Sequence, residues 1–104
     1  MSVSRVALLC PDLMFGSKVE GALRAAGHEV TRDTAGADVV VVDLTADEFD
    51  AIALERDGLP SIGFYPHVDV DTRRRALEAG YDVVVPRSKM ARETAAVVER
   101  LLQR

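Results

Sequence analysis

Residues 38–43 read Asp-Val-Val-Val-Val-Asp, and this stretch is the clearest structural signal in the chain. Four consecutive β-branched residues disfavour a helix and are typical of a strand. An unbroken apolar run of this kind is also typical of a parallel sheet, where both faces of a strand are covered. The stretch therefore predicts a central, buried strand over residues 39–42 that stops at Asp43.

Four other short apolar runs flank this stretch and have the length of strands. They cover residues 5–10, 28–31, 60–65 and 83–85. Proline, glycine or aspartate borders these runs, as is common where strands begin and end. The chain is therefore expected to form five strands, of which the valine run is the third.

Between these runs, apolar residues recur with the spacing of a helix face, and residues typical of helix ends stand beside them. Thr45 and Glu48 have the spacing of a capping box, which predicts a helix after the third strand. The residues expected at the ends of the four helices are Asp12 and Gly27, Thr45 and Gly58, Asp69 or Asp71 and Gly80, and Ser88 at the start of the last one.

Strands that alternate with helices predict right-handed crossovers and a parallel sheet. The connection over residues 32–37 is too short for a full helix. We therefore expect an α/β fold with helices on both faces of a five-stranded parallel sheet, formed by residues 1–104 as one domain.

Composition argues against several classes of function. The chain has 104 residues, of which 48% are hydrophobic, and a net charge of −4. Nucleic-acid-binding domains normally carry a basic face, and the one basic run, Arg73–Arg75, is interpreted as a solvated helix surface. The single cysteine, Cys10, excludes an internal disulfide, and no leader-like or membrane-spanning apolar run is present. We expect a cytoplasmic protein that binds neither nucleic acid nor membranes.

The residues that follow the strands are the candidates for a functional site. In open parallel sheets, ligands bind beyond the carboxyl ends of the strands. No glycine-rich turn follows the first strand, which argues against a dinucleotide site. The candidates at the predicted strand ends are Cys10, Asp12, Asp43, Tyr65, His67, Arg87 and Ser88.

Asp43 is the most informative of these candidates, because a carboxylate at the end of an all-valine strand is costly if it is buried without a partner. One interpretation is structural, in which Asp43 caps the next helix or pairs with Arg87. The other is functional, in which Asp43 accepts a transferred group or binds a metal together with Asp12.

Cys10 also allows two interpretations. A thiol between a strand and a helix can act as a nucleophile toward phosphate, since the N–H groups of a helix start hold anions and lower the thiol pKa. The following loop, however, is neither glycine-rich nor cationic, and Asp12 would repel phosphate. A buried structural cysteine is the simpler interpretation, since free cysteine is among the most buried residue types.

Four stretches carry a family resemblance: RVALLC at 5–10, ADVVVVDL at 37–44, PSIGFY at 60–65 and ALEAGYDVVVPRS at 76–88. In this order and spacing, they resemble the receiver domain of bacterial response regulators over nearly the whole chain. The resemblance implies a flavodoxin-like, doubly wound fold, from which the short connection over residues 32–37 departs, because it leaves the second helix shortened or missing. It also places Asp43 at the phosphoacceptor position.

The resemblance has departures that bear on chemistry. The acidic pair that holds Mg²⁺ in the family falls on Cys10 and Pro11, the switch serine or threonine falls on Tyr65, and the lysine falls on Arg87. Mg²⁺ prefers octahedral oxygen donors, which neither a thiol nor a proline side chain supplies. The resemblance therefore implies a pseudo-receiver that has lost phosphorylation.

The interpretation that we favour is a regulatory domain that acts through protein–protein contacts, has no catalytic activity and needs no cofactor. A second interpretation is a phosphorylatable response regulator that uses Asp43 with Mg²⁺. A third is a small phosphate-handling enzyme with Cys10 as its nucleophile.

The resemblance also implies where a partner would dock. Receiver domains commonly associate through the face formed by the fourth helix, the last strand and the last helix, so a weak homodimer or a protein partner is expected there. In this sequence the face carries mixed charge, from Arg73, Arg74, Asp82, Lys89, Arg92 and Glu93. At the strand ends, we expect Asp43 and Arg87 to form a charge-assisted pair, partly shielded by Tyr65.

Overall fold

A computed structural model describes residues 4–46, 50–66 and 70–103. Its strands and helices are, in chain order, β1 Arg5–Leu9, α1 Leu13–Ala25, β2 Glu29–Thr31, β3 Val39–Asp43, β4 Ser61–Tyr65, α2 Val70–Glu78, β5 Val83–Pro86, α3 Arg87–Arg92 and α4 Thr94–Leu102. The five strands form one parallel sheet in the order β2-β1-β3-β4-β5. This is the predicted five-stranded fold.

The valine run forms the central strand, as predicted. Val39 pairs with Val6 on one side, and Val40 pairs with Ser61 on the other. All five residues of β3 are buried, because neighbouring strands and both covered faces remove the run from water. This strand carries Asp43 to the carboxyl edge of the sheet.

The first face of the sheet, as we name it, is the side covered by α1, α3 and α4. Its buried core is continuous and almost entirely aliphatic, and among the described residues Phe64 is the fully buried aromatic side chain in it. The three helices contribute Val19 and Leu23, Met90, and Val97, Val98 and Leu101 to this core.

The second face is the side covered by α2 and by the connection between β3 and β4. Its core is smaller and contains Tyr65, Tyr81 and Ala76. Gly63 leaves room for Leu44, because a Cβ atom at Gly63 would lie 2.8 Å from the leucine side chain. Helices on both faces make the sheet doubly wound, as predicted.

The predicted end residues of α1 are confirmed. Asp12 is the N-cap, and its side chain accepts hydrogen bonds from the N–H groups of Met14 and Phe15. Gly27 follows the helix with φ +92°, a conformation that glycine adopts without a steric penalty. Residues 32–38 contain no helix, as the shortness of this connection predicted.

The structure corrects the prediction of a helix after β3. The described residues of that connection, 44–46 and 50–60, form turns and irregular structure instead. Thr45 does not act as the cap, because its N–H and hydroxyl groups both donate to Asp43. Asp50 makes the local turn by accepting from the N–H groups of Ile52 and Ala53. Glu48 lies outside the described residues.

The structure also corrects the prediction of a single last helix, since two helices, α3 and α4, take its place. Ser88 lies inside α3, and the N-cap position is Pro86, which makes no side-chain capping bond. The helix breaks at Glu93. Next to the break, the hydroxyl group of Thr94 donates to the carbonyl oxygen of Met90 at 2.6 Å and competes with the backbone ladder. Asp69, one of the two expected caps of α2, lies outside the described residues.

Candidate functional site at the carboxyl edge of the sheet

Asp43 ends β3 in a nearly closed environment, with only 4% of the residue exposed. One carboxylate oxygen, Oδ1, accepts from the N–H of Thr45 at 3.1 Å and from its hydroxyl at 3.2 Å. The other oxygen, Oδ2, accepts from Arg87 at 3.4 Å. Both oxygens are therefore engaged, which offsets the cost of burying the charge.

Arg87 lies between two carboxylates. One terminal nitrogen lies 3.4 Å from Oδ2 of Asp43, and the other lies 3.3 Å from Oδ2 of Asp12. The side chain is 32% exposed, as against 5% for Asp43 and 41% for Asp12. The guanidinium thus joins the start of α1 to the end of β3, and the expected contact between Asp43 and Arg87 is present.

Two aromatic rings hold the guanidinium from the side of the first face. Its central carbon lies 4.6 Å from the ring centre of Phe15 and 5.9 Å from that of Phe64. The two rings pack against each other, with their centres 4.9 Å apart. A cation against aromatic rings gains electrostatic attraction that grows as water is excluded.

Asp12 serves two structural purposes. Its Oδ1 caps α1, and its Oδ2 faces Arg87. The hydrogen bond from the Phe15 N–H, more than any other contact, lowers the pKa of Asp12, and the charge of Arg87 acts in the same direction. Asp12 is therefore held as a carboxylate at the point where β1 passes into α1.

Cys10 is buried at the end of β1, where its thiol lies 3.6 Å from the carbonyl oxygen of Asp12. Burial raises the pKa of the thiol, and the charge of Asp43 raises it further. The thiolate is the reactive form of cysteine, so this environment disfavours nucleophilic chemistry. The structure places Cys10 as a core residue beside the site.

Two of the predicted strand-edge residues, Tyr65 and Ser88, do not take part in this arrangement. Tyr65 packs in the core of the second face, so the rings that cover Arg87 are those of Phe15 and Phe64 rather than Tyr65. Ser88 is exposed and does not cap α3. His67 lies outside the described residues.

Phe15 and Phe64 were not predicted as site residues. Phe15 is one of the apolar residues at helical spacing after Asp12, which favours a core position, and the apolar run over residues 60–65 places Phe64 in a strand. A signal for Phe64 exists, because alternation along neighbouring strands puts it beside Asp43 on the same face, and the two residues are register partners. Phe15 reaches the site through the cap at Asp12, which fixes where α1 begins.

The side chains at this edge do not fit a Mg²⁺ ion. Mg²⁺ requires several oxygen donors in octahedral geometry. Here both Asp12 and Asp43 are engaged by Arg87, and the neighbouring donor at Cys10 is a thiol. Within residues 4–46, 50–66 and 70–103, no group of three or more histidine, cysteine or acidic residues is arranged to hold a metal.

No protein-family model and no curated protein sequence matches the chain. Solved structures do match it. A receiver domain protein (CheY-like) from Methanospirillum hungatei JF-1 has a TM-score of 0.81 and 15% identity, over 98% of this chain and 95% of that one. FixJ-N has a TM-score of 0.83 and 18% identity, over 99% and 96%. The chain has the receiver fold.

The non-phosphorylated HemR receiver domain from Leptospira biflexa is a further neighbour with the receiver fold, at a TM-score of 0.75 and 19% identity over 95% of this chain and 94% of that one.

In a sheet of order 2-1-3-4-5, ligands bind where the chain order reverses, between β1 and β3. Cys10, Asp12 and Asp43 lie at that point, and Arg87 closes over it.

None of the described helices is long and apolar enough to span a membrane.

Proposed function

We propose that this chain is a regulatory domain with the receiver fold that acts through contacts with a protein partner and is not switched by phosphorylation of Asp43. The observation that carries the proposal is the bridge that Arg87 makes between Asp12 and Asp43. The bridge puts a permanent positive charge at the position where a receiver would present a free carboxylate to a phosphodonor.

The chemistry of phosphoryl transfer supports this proposal. The transfer depends on an in-line nucleophile and on metal ions that neutralise the charge of the phosphoryl group. Both oxygens of Asp43 already accept hydrogen bonds, Oδ1 from Thr45 and Oδ2 from Arg87, so neither is presented free to a phosphodonor. The resemblance implies that the metal-binding acids are replaced by Cys10 and Pro11, so the charge neutralisation is also missing.

An apolar groove offers a surface for the protein partner. It is a cavity of ≈ 250 Å³ beside the edge strand β5, lined by Val83, Val85, Val97 and Leu101 and flanked by Lys89 and Arg100. It lies on the face through which receiver domains commonly associate, as the resemblance implies. A partner with apolar side chains between acidic ones would match it, and a second copy of the chain is the simplest candidate.

Incubation with Mg²⁺ and acetyl phosphate, followed by intact mass spectrometry, tests the proposal. We expect no phosphate adduct under conditions that fully modify a receiver domain with the complete acidic site, run in parallel as a positive control. An adduct that disappears in Asp43→Asn would overturn the proposal and would favour a phosphorylatable regulator instead.

A further inference from the structure

The two end strands of the sheet, β2 and β5, differ in how their outer sides are protected. β2 has three residues, and its Glu29 N–H donates to Ser4 on the side of β1, so the backbone groups of Val30 face outward. The outward carbonyl oxygen of Val30 accepts from Arg24 at 3.4 Å. Short length, charged side chains and covered backbone groups keep an end strand from pairing with another chain. All three are present at β2.

β5 lacks the charges and the covered backbone groups. Three of its four residues are valines, and it pairs with β4 alone. The N–H of Asp82 donates to Ser61 at the start of β4, so the backbone groups of Val83 and Val85 face away from β4. Within the part of the chain that the structure describes, no other segment bonds to these outward groups. β5 therefore offers unpaired backbone groups to another chain.

The apolar groove lies beside this same open edge. The side chains of Val83 and Val85 belong to the first face and line the groove together with Val97 and Leu101. A strand added next to β5 would direct every second side chain to the first face. Those side chains would lie against the two valines of β5, so the groove suits alternate apolar residues of an extended segment.

The charges around the groove indicate what else such a segment carries. Lys89 and Arg100 flank the groove, and neither forms an ion pair with a described residue. The acids next to them in sequence, Glu93 and Glu99, are engaged by other side chains. Acidic side chains would therefore complement this edge. An acidic partner is also a better match than a second copy, because pairing two β5 strands would bring the cations of both copies together.

We infer that β5 is a docking edge for an extended segment of a protein partner, which adds to the sheet as a sixth strand. The segment has apolar side chains at alternate positions, which enter the groove, and acidic side chains on the same face, which reach Lys89 and Arg100. The inference rests on the proposed function and deepens it, because it names the conformation and the chemistry of the partner.

Titration of the intact chain with the peptide Glu-Thr-Val-Thr-Val-Thr-Glu, blocked at both ends, tests this inference by nuclear magnetic resonance. The peptide presents two valines between two glutamates on one face of a strand. We expect the amide signals of Val83 and Val85 to shift. Their exchange with solvent should slow about tenfold at a peptide concentration of about ten times Kd, since exchange then occurs from the small free fraction.

Two N-methylated versions of the peptide distinguish strand addition from other modes of binding. One carries the methyl groups on the valine nitrogens and the other on the threonine nitrogens, so each loses the N–H donors of one side of the strand. We expect one version to lose binding and the other to keep it, because one side of an added strand pairs with β5. Equal binding by both versions, or loss in both, would overturn the inference. The protein itself is unchanged in this comparison.

Arg100→Glu should weaken peptide binding at least about tenfold, because an attractive charge becomes repulsive. Arg75→Glu, at an exposed position of α2, makes the same change in net charge and should leave binding unchanged. A peptide with lysine in place of glutamate should bind Arg100→Glu more tightly than the unmodified chain. Equal weakening by the two variants would contradict the charge complementarity. If Arg100→Glu does not fold, the N-methylated peptides still decide the question.

Absence of binding at millimolar peptide, or amide shifts at β2 without shifts at β5, would also overturn the inference. A dimer of the chain that pairs through β5 and that the peptide does not displace would identify a second copy as the occupant instead. A phosphate adduct on Asp43 of the unmodified chain would overturn the proposed function and leave the peptide results unchanged, so the two failures are distinguishable.

Discussion

The two faces of the sheet are covered in different ways. The first face is packed against α1, α3 and α4, and Phe64, Val39 and Val41 lie fully buried beneath them. The second face is covered by one helix among the described residues, α2. The described part of the connection from β3 to β4, which forms turns and irregular structure, covers the remainder of that face. The first face is therefore held by side-chain packing between regular elements.

The second face depends more on individual polar contacts. The hydroxyl of Tyr81 donates to the carbonyl oxygen of Ala51 at 2.7 Å. Arg56 lies over the Tyr81 ring at 4.1 Å and donates to the carbonyl oxygen of Ala79 at 2.6 Å. These contacts tie the connection to α2 and β5, where a helix would otherwise pack.

The difference bears on function because the candidate site is built on the first face. Asp43 lies on the same side of β3 as Val39 and Val41, and the rings of Phe15 and Phe64 belong to that side. The site is therefore packed against the helical face. We expect changes there to affect stability and the bridge together, whereas changes on the second face should leave the bridge intact.

The largest expected effect is that of Phe64→Ala. The ring is fully buried and contacts both Phe15 and Arg87, so its loss leaves a cavity and should lower the free energy of unfolding by about 3–5 kcal/mol. Urea unfolding measures this directly. Ile52→Ala, at a partly buried position of the second face, is the matched control and should cost about 1–2 kcal/mol. Equal losses would mean that the two faces are packed alike.

Tyr81→Phe should have a smaller effect that is confined to the second face. The substitution keeps the ring and removes the hydroxyl group, so the carbonyl oxygen of Ala51 is left without its donor. We expect a loss of about 1–2 kcal/mol in the free energy of unfolding. Hydrogen exchange should also become faster in residues 50–59 and stay unchanged in α1 and α4. Faster exchange in α1 would contradict the independence of the two faces.

Cys10→Ala should cost about 1 kcal/mol, the scale of a small truncation in a core. The unmodified thiol should react slowly with a thiol reagent near neutral pH, because it is buried and its pKa is raised, and rapidly after denaturation. Fast reaction of the native protein would show that Cys10 is accessible and would reopen the interpretation of a nucleophile.

Asp12→Asn should have the smallest effect, since asparagine is as good an N-cap as aspartate. The change removes the contribution that comes from the lowered pKa of the carboxyl group. Because the pKa of Asp12 is lower in the folded protein than in the unfolded chain, the carboxylate stabilises the fold at pH values above the unfolded pKa of about 3.9. That stabilisation is lost as the pH falls through the pKa of the folded protein. The stabilities of the variant and the unmodified chain should therefore differ at pH 6 and converge at acidic pH. A difference that stays constant with pH would contradict the role of the charge.

The sequence predicted the sheet well because its strongest signals are local. The four valines of residues 39–42 strongly disfavour a helix, so their strand could be predicted from these residues alone. The ends of α1 are also set locally, by the capping side chain of Asp12 and by the positive φ of Gly27. The capping-box spacing of Thr45 and Glu48 predicted a helix that the structure lacks. Thr45 instead donates hydrogen bonds to Asp43, at the end of the preceding strand. The spacing of Thr45 and Glu48 contains no information about this competing contact.

The candidate site was only partly predictable. The alternation of strands and helices predicts a parallel sheet, so Asp12, Asp43 and Arg87 could be placed at one edge from the sequence. The strand order that sets β1 beside β3 is given by the structure. The rings of Phe15 and Phe64 around Arg87 depend on the angle at which α1 leaves its cap and on side-chain rotamers. Sequence spacing does not fix either of these quantities.

The coupling between Asp43 and Arg87 is the central claim, and a double-mutant cycle with Asp43→Asn and Arg87→Met tests it most directly. Urea unfolding of the four proteins gives the interaction free energy. We expect non-additive losses with a coupling of about 1–2 kcal/mol, and Arg87→Met alone should be less stable than the double variant, because it leaves a buried carboxylate without a counter-charge. Losses that add within about 0.3 kcal/mol would show that the two residues do not interact, and the fixed state of this edge would need another cause.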